Sequence, residues 1–188
     1  MNAKASEKRK AKAKVKKEKV KVKEKELILG LSSKQIIIFL LEFMFVSAVF
    51  LGVWYYIGVF YQGAVFFFAE HILLLMGYTP VQISAVRLPN AYLGNFNLVP
   101  LVALAIATPK LAVRRRIEML VIGIPLLFLL HVLDLVAHFP MYFYGSGIAQ
   151  FVVYSIGVGG VAMPFFIWFA FFFRRNLFLE RKALPKEP

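Results

Sequence analysis

The sequence predicts an all-α membrane protein: about four transmembrane helices, an interfacial or re-entrant helix, and a short extracytoplasmic hairpin-like segment. Three observations lead there. The 188 residues are 60% hydrophobic with 20 phenylalanines, a membrane rather than a globular-core composition. Apolar runs long enough to cross a bilayer recur along the chain. Basic clusters alternate with those runs in a way that orients them.

Residues 1–34 carry 13 Lys/Arg against 4 Glu, so about two thirds of the formal charge of +13 sits in this segment. It has no aromatic residue and is read as a basic cytoplasmic tail, disordered or a frayed helix, touching anionic lipid headgroups. Lysines without aromatic interleaving or a folded module do not make a nucleic-acid interface, and none is expected. The membrane domain is expected over 35–175, with a cytoplasmic tail at 176–188. Its first span, 35–61, is too long for the apolar core of a signal peptide. Glu42, early in that span, takes no assigned role.

The remaining spans are expected at 91–108, 117–139 and 147–173, with 62–90 forming an outer segment. Placing the N-terminal lysines, Arg114-Arg115-Arg116 and Arg174-Arg175 all in the cytoplasm requires four crossings, with both termini inside and the chain in the cell membrane. A full crossing by 62–78 would put the triple arginine outside, so that stretch is read as interfacial or re-entrant. The Val/Ile alternation of TPVQISAVRLPNAYLGNFN, broken at Pro89-Asn90, is the hairpin-like element. Pro100, Pro125 and Pro164 are expected to kink their helices, and Gly157, Gly159 and Gly160 to allow close helix approach.

Chemistry concentrates in the third span, IPLLFLLHVLDLVAHF. At 100° per residue His131, Asp134 and His138 fall within roughly a 60° arc, one polar stripe on an apolar helix. Ionisable groups at membrane depth face a cavity, a partner or an ion, so these three are the candidate catalytic residues. Under the four-span topology Glu70, His71, Arg87, Asn95 and Asn97 lie on the same outer side as candidate binding residues. No cofactor is expected. The alternative is a divalent metal such as zinc, held by His71, Asp134 and His138 with an open position for water. His131 and His138 are about 10.5 Å apart along the axis, at the limit for sharing one ion. A haem held by His71 and a helical histidine is a further alternative, although two histidines on one helix face do not ligate opposite sides of a single haem. The absence of Cys excludes disulfides, thiolate metal sites and a cysteine nucleophile. A purely structural role for the stripe, Asp134 orienting a histidine by hydrogen bonds, stands beside these readings.

The order of segments carries a further signal. A helix ending LLLMGY and a polar stretch precede a short apolar helix ending ALAIATP, then LAVRRRIEMLVIGIP, LLFLLHVLDL and a glycine-containing last helix. Over about residues 60–175 this layout resembles the core of the exosortase/archaeosortase family, membrane-embedded transpeptidases that process C-terminal sorting tails of surface proteins. The resemblance implies a Cys at the outer start of the short helix, an Arg on the next long helix and a His on the last. Here the first position falls in AYLGNFN, with Tyr92, Asn95 and Asn97, and the usual Asn-x-x-Arg reads His131-x-x-Asp134. The last span has no His. A cysteine-dependent transpeptidase is therefore excluded, and whether the chain is an enzyme of another kind stays open.

The resemblance implies a non-catalytic role in binding or assembly during envelope protein sorting, with a membrane protein or a C-terminal sorting tail as partner. The alternatives are a membrane hydrolase using His131, Asp134 and His138, and a small transporter or channel subunit.

Overall fold

A computed structural model describes residues 32–86, 95–109 and 111–183, with side chains described as far as residue 172. The described residues are helical, with no strand among them. The helices are α1 (Ser33–Leu75), α2 (Pro80–Ala85), α3 (Leu98–Ala107), α4 (Val113–Tyr144) and α5 (Gly147–Ala183). Three of them, α1, α4 and α5, are long and apolar enough to cross a membrane.

The chain divides into two compact units at Leu41/Glu42. In the first, Ser32 and Gln35 form a reciprocal cap: the Ser32 N–H donates to Gln35 Oε1 at 3.1 Å and the Gln35 N–H to Ser32 Oγ at 3.4 Å.

The expected break near residue 62 does not occur: 62–75 continues α1 as one 43-residue helix. Gly63 is open to its surroundings and costs a continuous helix little, whereas the stop signal sits later, at Gly77. There φ is +90°, the Gly77 N–H bonds the Leu74 carbonyl and the Tyr78 N–H bonds that of Leu73, which closes a Schellman motif. Tyr78 then packs into the same apolar cluster as Leu73. Thr79 and Gln82 form a capping box, with Pro80 at the start of α2, so the first part of the hairpin-like stretch is a six-residue helix. Residues 87–94, including Arg87 and Tyr92, and the tails 1–31 and 184–188 lie outside the described residues.

The expected span 91–108 is also shorter than read. Its helix, α3, has ten residues and a length of about 15 Å, half a bilayer core. In contrast, the segments 117–139 and 147–173 lie inside α4 and α5. Those two are joined at Gly145, whose φ of +60° lets the Gly145 and Ser146 N–H groups both reach the Pro140 carbonyl. Pro125, Pro140 and Pro164 are all accommodated within helices.

Contacts give the directions. Tyr61 meets Phe128 and His131, and Tyr78 meets Phe139, Phe143 and Tyr144, so α1 and α4 run in the same sense. A Cβ on Gly123 would meet Leu101 and Ile167, while one on Gly160 would meet Asn97 and Leu130, so α3 and α5 both run against α4. Hence α3 begins at the level of Leu130 and Gly160, part-way along the bundle, and runs to the Arg116 end. Two apolar clusters follow: Val65, Ala69, Leu73, Tyr78 and Ile83 on Leu135, Val136 and Phe139 at the Tyr144 end, and Trp54 with Leu101, Met119, Leu127 and Ile167 around α3. The helices α3, α4 and α5 pack on one another, and α1 packs on α4 through Val65, Ala69 and Leu73 and through Tyr61 and Phe68.

Candidate functional site

The level at which α3 begins is also where polar groups enter the apolar interior. From α1, Tyr61 places its hydroxyl 2.8 Å from His131 Nδ1 on α4. The next residue, Gln62, accepts a 2.6 Å bond from the Asn95 amide just before α3. Asn97 precedes the first residue of α3, is only 7% exposed and makes no capping bond to its own helix. Its amide nitrogen reaches to 3.3 Å of where a Cβ on Gly160 would stand, so glycine at that point of α5 is what admits the amide. Four elements thus contribute to one polar layer: Tyr61 and Gln62, Asn95 and Asn97, His131, and the space over Gly160.

His131 is the most deeply buried member at 5% exposure. Its Nδ1 is engaged by Tyr61, while Nε2 is buried with no hydrogen-bond partner among the described residues. A buried ring nitrogen without a partner is costly, so the layer retains unused capacity to bind a complementary polar group.

The expected stripe on α4 divides. His131 turns to α1, whereas Asp134 and His138 are half-buried and engage each other: His138 Nδ1 donates to the Asp134 carbonyl at 2.7 Å and stands 3.8 Å from Asp134 Oδ2. Leu130, Asp134 and His138 lie four residues apart in succession, so the strip that passes Gly160 and Asn97 continues past the head of α3 towards the Tyr144 end. Glu70 and His71 do not join either group. Both are exposed, and His71 Nδ1 is bonded to the Phe67 carbonyl at 2.7 Å. The buried row of α1 is Trp54, Gly58, Val65, Ala69 and Leu73, and positions 70 and 71 fall on the other side of the helix. The metal set His71, Asp134 and His138 is therefore not assembled: no three His, Asp or Glu side chains among the described residues are placed to hold an ion.

At the opposite end of α3 a second polar group closes the helix. Arg116 donates to the carbonyls of Leu111 at 3.0 Å, Thr108 at 2.9 Å and Ile106. Thr108 is fully buried, with its hydroxyl donating to the Leu104 carbonyl and accepting from Trp168 Nε1 at 2.7 Å. A cation on the last carbonyls of α3 satisfies acceptors the helix leaves open and opposes its negative end. Arg114 and Arg115 instead hold Glu118.

Sequence reasoning read the arginines only as topology anchors and passed over Tyr61, Gln62, Thr108 and Trp168. The available signal was a Tyr-Gln pair interrupting an apolar run, and a Thr and a Trp whose donors need partners once buried. The small-residue reading held at Gly160 but not at Gly157 or Gly159, which have nothing near them.

The fold and the layer define a helical protein with three helices long and apolar enough to cross a membrane and a short helix that starts inside the bundle. Comparison with protein-family models, with curated proteins and with solved structures gives no match.

Proposed function

We propose that this chain is a multi-pass cell-membrane protein with cytoplasmic termini and an exosortase/archaeosortase-like core. It acts by binding, not by transpeptidation, in envelope protein sorting. In this reading α1 runs outwards, α3 inwards, α4 outwards and α5 inwards. The basic residues Arg114, Arg115 and Arg116 then face the cytoplasm, as the positive-inside rule favours. A half-length helix with a polar head inside the bundle is tolerated where it is covered by protein or lines a site.

The observation that carries the reading is Asn97 at the head of α3, nearly buried, facing Gly160 and beside the level of His131. An amide side chain both donates and accepts, and the start of a helix carries positive partial charge. Together they suit a peptide carbonyl entering from the membrane, such as that of a sorting tail or of a partner's helix. With no thiol in the chain, the same geometry recognises without cutting.

Phe96, adjacent to Asn97 and 39% exposed, is the place to test this. A photo-crosslinking residue at position 96 in native membranes is expected to capture the C-terminal segment of a surface-protein precursor or of a membrane enzyme of envelope processing, identified by mass spectrometry. Capture should fall sharply in Asn97→Leu. Labelling of lipid alone, or capture indifferent to Asn97→Leu, defeats the proposal.

A further inference from the structure

Seen along its axis, α1 has two different faces. One holds the buried row against the bundle. The opposite face carries Gly52, Tyr56, Phe60, Gly63, Phe67 and Glu70 at intervals of three or four, all exposed, with Tyr56 at 75% and Phe60 at 80%. A Cβ on Gly52 or Gly63 would meet nothing within 4 Å, so the backbone itself is open to approach on this side.

Exposure of aromatic and aliphatic groups is what lipid contact produces, and by itself identifies no partner. Glu70 and His71 do not fit lipid contact. Their neighbours Ala69 and Leu73 pack with Leu135, Val136 and Phe139, which places the pair short of the exposed aromatic level of Tyr142 and Tyr144. An acid and an imidazole set back from that aromatic level and turned away from their own bundle are stabilised by a polar partner. Among the described residues Glu70 makes no hydrogen bond or ion pair, and His71 uses only Nδ1. Because Phe67 offers a carbonyl, Nδ1 carries the proton there and Nε2 is the atom left over.

Adjacent helical positions differ by 100°, so Glu70 and His71 straddle the outward meridian of α1. A two-fold axis parallel to that helix brings a residue on one side of the meridian opposite its counterpart from the other side, at equal depth. We propose that this face is a homodimer interface, a second copy of the chain docking along α1 with Glu70 of each protomer opposite the partner's His71. One proton shared between the Glu70 carboxyl and the imidazole Nε2 completes each of the two symmetric pairs. The open glycines let the backbones close to the distance such pairing needs.

The chain has no Cys, so a single introduced thiol reports contact without background. In proteoliposomes of the full-length protein, oxidation is expected to link Gly63→Cys into dimers. Val158→Cys, 81% exposed on α5, should stay monomeric under the same conditions. Glu70→Leu should weaken self-association by roughly tenfold, because the two-fold makes it remove both symmetric interhelical hydrogen bonds at once. Exchanging the pair, Glu70→His with His71→Glu, should restore it. Equal linking at positions 63 and 158, a monomer by subunit counting in dilute bilayers, failure of the exchange to rescue, or linking of position 63 only to a different protein in native membranes each overturns the proposal.

Discussion

The hydroxyl of Tyr61 lies 2.8 Å from Nδ1 of His131, a bond between residues 70 positions apart that ties α1 to α4 in the apolar interior. With the Gln62–Asn95 bond beside it and the two apolar clusters, this bond sets the position of α1 against α4.

Removing the hydroxyl tests that link. Tyr61→Phe keeps the ring against Phe128 but leaves both imidazole nitrogens without a partner. A loss of about 0.5–2 kcal/mol is expected in detergent unfolding. In a double-mutant cycle with His131→Phe, a coupling of about 0.6–1.7 kcal/mol is expected, and a coupling of zero would mean the bond contributes nothing.

Arg116 should matter far more than its neighbour. Arg116→Ala removes three bonds to the carbonyls that end α3 and the following turn, a loss of about 1.5–3 kcal/mol with a clear fall in melting temperature. Arg114→Ala, with a side chain 90% exposed, should leave the melting temperature unchanged. Equal effects of the two substitutions would reduce Arg116 to a topology charge.

Glycine positions on α4 and α5 should respond unequally. A Cβ at Gly123 would stand 2.7 Å from Leu101 Cδ2 and 3.3 Å from Ile167 Cγ2, so Gly123→Val should cost about 1–3 kcal/mol through overpacking. Gly157→Ala meets nothing and should be neutral or slightly stabilising through helix propensity, as read by thermal melts of the two variants side by side.

Zinc provides a fourth check. With His71 on the far side of α1 from the bundle, and with Nδ1 of His138 bonded to the Asp134 carbonyl, added zinc should not raise the melting temperature. A rise abolished by both His71→Ala and His138→Ala would restore the shared metal site.

Much of the fold was readable from apolar run length, because a membrane-spanning helix needs about 20 apolar residues and little else imitates that pattern. The runs at 117–139 and 147–173 fall inside α4 and α5 for this reason. The division at residue 62 failed because charge bookkeeping counts crossings but does not sense helix continuity. Nothing between Tyr61 and Leu75 prevents one helix, and the αL glycine that does end it lies at position 77. The length of α3 is likewise not encoded in hydropathy. AYLGNFNLVPLVALAIAT is apolar enough to look like a span, yet only ten of its residues form the described helix.

The candidate site was half legible. Periodicity put His131, Asp134 and His138 on one side of a helix, and His131 is indeed buried there among aromatic neighbours. Periodicity does not say which helix lies opposite, and the roughly 60° between His131 and Asp134 is enough to send one to Tyr61 and leave the other half-exposed beside His138.

From the residue string alone came the helical class, the membrane-spanning runs, the lack of any thiol chemistry and the polar stripe, all of which follow from local composition and angular spacing. Tertiary structure decided the partners: that Tyr61 meets His131, that Gly160 makes room for Asn97, and that Arg116 closes α3. Those pairings join residues far apart in sequence, and they depend on helix direction, depth and rotation, none of which a hydropathy pattern encodes.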